Sequence, residues 1–448
     1  MRSATFFLLA CATCPAHATP GETSPTDIVL VAPEDAAGSP PSAGAEVAAA
    51  SLSSTQPSAA AAAAPVVGEA AKTTGPAATA AASSCPEDKP CLDDAGFALW
   101  PSVRLRGLYE YIQPDPNVLF VGHNDGFLLD QARLGVNVGY KGRFLVRLVA
   151  DLSTLLPGGL HNEPAQPLVA AARDAYVAWT PSPWFFVAVG QQFMPLVYEG
   201  QVTRGELNFT SRSIVGDGVR AGRGFETPGL APGRQVGVVL GARRAPVGPV
   251  TLDYRLGLTN GNAQNLFGND NKLPAIIGRV GADYGGLFGI GLAGQYNPRT
   301  EGELPNLFTE THSEAAADVR ADVFGVELLL QGIYRHISFD DVFLNAADPN
   351  ASDTSLGVVS WIVLDHPFGL PTFGCKPAYR FSYYDPSASD VDDALMEHTV
   401  AVRYDPPTAL PLAFFVEGTL LLEQGEFSGA AGRALENNRL VAMLQFDL

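Results

Sequence analysis

From Val189 to Ile214 the chain reads "VGQQFMPLVYEGQVTRGELNFTSRSI". It starts as an apolar strand and passes into a run without period, Met194 to Pro232. That run carries Arg204, Arg212, Arg220 and Arg223 against Glu199, Glu206, Asp217 and Glu226. Guanidinium groups stay charged and meet phosphate or carboxylate oxygens two at a time. Rings of arginine suit pores that pass anions, so folded inward these side chains would make a charged constriction. The alternative is that they pair with the neighbouring acids and only pin the loop. A run this long counts against the adjacent strands unless it has a function. The elements that must hold it therefore decide its meaning.

Other chemistry is sparse. The sequence holds no Gly-x-Ser-x-Gly, no His-Glu-x-x-His, no P-loop and no dinucleotide-binding glycine pattern. Histidines fall mostly in predicted loops, as His123, His161 and His312 do. "GNDNK" after Phe267 reads as turn chemistry through Asn269, Asp270 and Asn271 rather than a calcium loop. The expectation is no enzyme, no cofactor and no metal. The formal charge is -19, which excludes nucleic acid as a partner because phosphate contacts need clustered Lys and Arg.

Residues 1–18, "MRSATFFLLACATCPAHA", fit a cleaved signal peptide with an A-x-A site ending at Ala18. A competing reading takes "LLAC" before Cys11 as a lipidation signal. Cys11 and Cys14 have redox-motif spacing but lie within this leader. Residues 19–96 are rich in Ala, Pro and Ser with almost no aromatics, too apolar-poor to offset ordering entropy, and read as a disordered tether. Cys85 and Cys91 flank "PEDKP" and could close a small disulfide. Cys375 reads as a lone thiol in a half-buried strand.

From Phe97 the pattern turns to period two. Phe144, Val146, Leu148, Ala150 and Leu152 alternate with Arg147, Asp151 and Ser153, and "VTLDYRLGLT", "LAFFVEGTLLLE" and "RLVAMLQFDL" alternate likewise. Such alternation marks strands with one apolar and one wet face. About sixteen segments qualify, centred near Leu105, Val136, Leu148, Val177, Val187, Val238, Tyr254, Ile277, Leu292, Val319, Leu329, Val359, Tyr379, Val400, Val416 and Met443. Short turns ("KG", "TPSP", "APVG", "GG", "FG", "DPPTALP") alternate with long loops, among them "NPRTEGELPNLFTETH". No later segment is long and apolar enough for a membrane helix. The predicted fold is all-β: a transmembrane antiparallel barrel over 97–448, with about sixteen strands, short periplasmic turns and long outer loops. Aromatics beside the short turns (Tyr140 and Phe144, Trp179 and Trp184, Tyr284 and Phe288, Tyr404 and Phe414) fit an interfacial girdle. The charged face would line water with Arg104, Arg106, Arg147, Arg255, Arg320 and Arg403. A barrel of this strand number leaves a channel, and the long run after the fifth strand is its third long loop.

One stretch also carries a family resemblance. "RDAYVAWTPSPWFFVAVGQQFMPLVYEGQVTRGELNFTSRSIV" shows Asp174-Ala175-Tyr176, Gly190 to Phe193 with Pro195, Glu199, then Arg212-Ser213; the next hairpin ends at Asn260-Gly261. From Arg173 to Gly261 this resembles the phosphate-selective porin O/P family. The resemblance implies a sixteen-stranded outer-membrane porin, usually trimeric, passing small anions such as phosphate. Four features depart from it. Ser211 stands where an acid is common, Lys is rare, and the outer loops are acidic, as in "DPSASDVDDALME". Leu448 ends the chain where an aromatic is usual, yet keeps the outward register.

The expected function is passive diffusion of small hydrophilic solutes through an outer-membrane porin narrowed by its third loop, with the lipid bilayer and small anions as partners. The alternative is a surface adhesin or envelope-linking barrel without transport.

Overall fold

A computed structural model describes residues 96–123, 125–154, 169–220, 222–262, 265, 268–269, 272–303, 306–339, 352–370, 372–389, 393–408, 410–423 and 435–448. The expected leader, nearly all of the expected tether, cysteines 11, 14, 85 and 91, and His161, Asp270 and Asn271 lie outside the described residues.

Sixteen strands close into one antiparallel barrel. They are β1 (Phe97–Ile112), β2 (Gly126–Tyr140), β3 (Phe144–Thr154), β4 (Val169–Ser182), β5 (Phe185–Phe193), β6 (Arg234–Val247), β7 (Val250–Thr259) and β8 (Ala275–Tyr284). The second half holds β9 (Phe288–Glu303), β10 (Asn306–Val323), β11 (Val326–Phe339), β12 (Ser352–Leu364), β13 (Cys375–Asp385), β14 (Leu395–Tyr404), β15 (Leu412–Glu423) and β16 (Arg439–Asp447). All sixteen predicted centres fall inside these strands. β1 pairs with β16 as well as β2, so no sheet edge is left open.

The alternation sets the faces as expected. Phe144, Leu148, Leu256, Val416 and Leu444 are exposed on the outside, while Asp151, Glu417, Arg439 and Gln445 are buried inside. Large apolar side chains ring the outer surface, an extent that a soluble monomer does not leave uncovered. At the short-turn end, aromatic rings follow one another across adjacent strands. Phe97, Tyr140, Phe144, Trp179 and Phe185 have successive ring centroids 4.6 to 6.3 Å apart. Leu448 exchanges backbone hydrogen bonds with Val103 at 2.7 and 2.8 Å and points outward.

Two expectations are corrected. "NPRTEGELPNLFTETH" is not a long loop: β9 and β10 run on to Glu303 and Asn306 as one extended hairpin. Beyond the apolar belt, strands lose the hydropathic alternation that made them legible, and this hairpin is held instead by backbone pairing with charged partners. His312 is therefore not a loop residue. It sits buried in β10 with Nε2 2.6 Å from Glu310 Oε1.

Candidate functional site

The chain between Phe193 and Arg234 lies inside the barrel. Its own sequence folds it locally. Ser213 caps the short helix Ile214–Asp217, accepting a hydrogen bond from Gly216 N at 3.2 Å while donating its hydroxyl to Glu199 at 2.6 Å. Gly218 ends the helix with φ of 78°, and a Cβ there would meet Thr227 O at 2.0 Å, so the reversal requires glycine. A two-rung hairpin follows, pairing Gly218–Val219 with Thr227–Pro228.

Met194, Leu196, Leu207, Phe209, Ile214, Val215 and Leu230 of this segment are fully buried. They pack on an apolar patch of the inner wall that includes Ile277, Leu329, Val359, Trp361, Val363 and Leu421. The interior is thus not uniformly polar. The signal was legible: "VELLLQGI" in β11 and "VVSWIVL" in β12 are apolar at both parities, the mark of strands covered on both faces.

Buried wall side chains then pin the segment's polar groups. Glu417 accepts from Thr210 N at 2.7 Å, and Arg106 donates to Thr210 O. Arg403 donates to the carbonyls of Gly205 and Leu207, and Arg380 to that of Ser211 at 2.7 Å. Arg380 also meets Glu199 at 3.5 Å and Glu397 at 3.0 Å. Each buried charge has a partner, as removal from water requires.

These pins fall on β1 and β13 to β15. Between the segment and the wall of β1 to β4 with β6 and β7 lies a cavity of about 350 Å³. Its lining brings together Arg104, Arg133, Arg147, Arg173, Arg234, Arg243 and Arg255 from the wall with Arg204 and Arg212 from the segment. Only Asp174 and Asp447 contribute carboxylates to that lining. Asp447 takes Arg104 at 2.5 Å, and Asp174 is shared by Arg147 at 3.3 Å and Arg234 at 2.8 Å. Phe193 offers an apolar floor with Arg212 and Arg234 over its ring at 5.0 and 5.7 Å.

The predicted loop residues separate. Arg204 and Arg212 line the cavity. Arg204 ion-pairs with Asp217, which raises it above its ordinary value against the effect of burial. Burial lowers Arg212 to about 10, and it donates to the carbonyls of Glu199, Gly200 and Val202. Burial would raise Asp217, but Arg204 and Arg212 outweigh it and hold the carboxyl at about 2. Arg220 is exposed. Arg223 turns to the opposite side and pairs with Glu397 at 2.9 Å. Glu199 is fully buried beneath the segment, and its burial raises it above the usual carboxylate range despite Arg380 and Ser213.

Of the predicted wall residues, Arg104, Arg147 and Arg255 line the same cavity. Arg106 is completely buried against Asp130 at 3.3 Å and Arg403 grips the segment. Arg320 lies near the short-turn end, 4.3 Å over the Tyr198 ring. Sequence reasoning missed Arg133, Arg173, Arg234 and Arg243. Strand parity was the available signal for Arg133, but a register shift in β3–β4 at Val149/Ala150 and one in β6–β7 at Ala242/Ala245 obscure it near Arg173 and Arg243.

No protein-family model matches the chain, and no curated protein does. Among solved structures it is similar to the anion-selective porin from Comamonas acidovorans, at TM-score 0.52 and 13% identity over 79% of this chain and 100% of that one. The barrel shares the fold of these outer-membrane channels. It is similar also to the trimer form of OmpT, an outer membrane protein of Vibrio cholerae, at 0.52 and 10% over 79% and 100% of the two chains. The outer membrane channel DcaP of Acinetobacter baumannii aligns at 0.51 and 14% over 80% and 99%. At such identities the likeness shows the fold and nothing finer.

Proposed function

We propose that the chain is an outer-membrane porin that passes small hydrophilic anions, phosphate among them, by passive diffusion through a barrel narrowed by residues 194–233. One observation carries this reading: nine arginines against two aspartates line the cavity left between that segment and the wall. A passage so lined concentrates anions and repels cations, and guanidinium matches phosphate or carboxylate geometry. The apolar exterior would face lipid and the short turns the periplasm, after export through the leader. The similar OmpT structure is a trimer form, and the anion-selective porin has the same barrel; both support a trimeric, anion-conducting, non-enzymatic reading. The phosphate assignment rests on the Arg173–Gly261 resemblance and on arginine chemistry, and the scarcity of Lys weighs against a phosphate-concentrating mouth.

The test is the zero-current potential of the purified protein in a planar bilayer under a salt gradient. Anion-selective steps that phosphate blocks are expected. Cation-selective steps would refute the anion assignment, and absence of conductance would refute the channel itself.

A further inference from the structure

On the other side of residues 228–232 lies a second cavity, of about 700 Å³, walled by β6, β9, β10 and β11. Its character differs from the arginine cavity. Cross-strand register stacks its side chains in rows. Gln295 faces Glu314, which faces Arg335; Asn297 faces His312; Arg299 faces Glu310.

Several donors in these rows are already engaged. Asn297 Nδ2 donates to Gly261 O at 3.0 Å, and Asn262 Nδ2 is bonded to Gly268 O. Arg335 gives Nε to Glu314 Oε1 at 2.8 Å and Nη2 to Gly229 O at 3.3 Å. His312 Nε2 is taken by Glu310. Four acceptors are left over. Asn262 Oδ1, Gln295 Oε1, Asn297 Oδ1 and Glu314 Oε2 are buried and have no protein partner. Asn297 is 3% exposed and Gln295 7%, so neither oxygen is freely solvated by exposure. An unsatisfied buried acceptor keeps its desolvation cost unless a donor arrives.

Formal charge decides which donor fits. Glu310 and Glu314 are balanced by Arg299 and Arg335, so the site has no net pull on a cation. Neutral hydroxyls suit it better than ammonium. Phe308, partly exposed at the same cavity, adds an apolar surface for the carbon skeleton of such a solute. We infer that this outer chamber is a hydroxyl-binding subsite, and that the solute taken by the barrel is a hydroxylated organic anion of the sugar-acid class, its hydroxyls met here and its charge by the arginine cavity beyond. The assignment of the charged end rests on the anion-porin reading.

A site that holds four unpartnered buried acceptors discriminates strongly against an analogue without the donors. Glucuronate and cyclohexanecarboxylate share a six-membered ring and one negative charge and differ in hydroxyls. Calorimetric titration of the detergent-solubilised full chain should show glucuronate binding at least tenfold more tightly. In Gln295→Leu/Asn297→Leu that difference should disappear. Equal affinities for the two anions, no binding of either, or a preference that survives the double substitution would each overturn the subsite. The comparison on the unaltered protein stands even where the variant fails to fold. Bilayer conductance is read separately: missing steps refute the channel, whereas steps without a hydroxyl preference refute only this subsite.

Discussion

Glu417 on β15 grips Thr210 of the inner segment twice, accepting its backbone N–H at 2.7 Å and its hydroxyl at 2.6 Å. The same carboxylate accepts from Arg439 Nη1 at 3.1 Å. One wall residue thus fixes the segment and neutralises a buried arginine. Glu417→Ala leaves Arg439 short of a partner and frees Thr210. Removing one member of such a buried pair costs about 3–5 kcal/mol. Thermal unfolding in detergent should fall, and protease should cleave within 194–233 in the folded barrel. Unchanged protection would show that Glu417 does not hold the segment.

The arginine cavity should set selectivity through its less enclosed members. Arg147 is partly exposed and Arg243 is exposed at its lining. Arg147→Glu/Arg243→Glu changes the lining's charge by four while leaving the pins at Thr210 and Ser211 intact. The zero-current potential should move towards cations, and anion preference should fall several-fold at low salt, where screening is weak. A potential that stays in place would locate the filter elsewhere.

Acid should loosen the segment. Asp217, in the segment and outside the strands, is held at about 2 against an ordinary value of 3.8. A depressed carboxylate stabilises above its ordinary value and loses that contribution as pH falls through its folded value. The loss therefore falls between about pH 4 and pH 2. Glu199 has the opposite sign, since burial raises it, and acidification relieves its cost. Proteolysis of the segment should rise below pH 4 in the parent, and Asp217→Asn should show the loosened behaviour at neutral pH with no further acid step. A step that persists in Asp217→Asn would assign it to another group.

Seating of the segment depends on one missing side chain. A Cβ on Gly357 in β12 would lie 2.3 Å from Val215 Cγ1 and 3.1 Å from Leu230 Cδ1. Overpacking a tight contact costs about 1–3 kcal/mol. Gly357→Leu should lift the segment from the apolar patch, raise single-channel conductance and weaken selectivity together. Conductance equal to the parent's would mean that the segment does not narrow the passage.

The barrel itself was written in the sequence. Period-two alternation determines which side chains face out, because successive strand residues point to opposite faces, and every predicted strand centre lies in a strand. Short turns and a continuous run of pairings determine antiparallel closure for the same local reason. Alternation fails as a signal where its cause fails. In β9 and β10 beyond the apolar belt there is no apolar face to alternate, so Asn297–His312 looked like loop. The long run after Phe193 declared its arginines but not their destinations. Only the tertiary structure sent Arg223 to Glu397, buried Glu199 under Arg380, and left Arg204 and Arg212 opposite Arg133, Arg173 and Arg234. Residues far apart in the chain meet there because an apolar patch on one half of the inner wall takes up the segment. On the open side the inward arginines of β1 to β4, β6 and β7 are left facing the cavity. Local periodicity sets the wall, whereas the docking of that segment across the barrel decides which charges face each other.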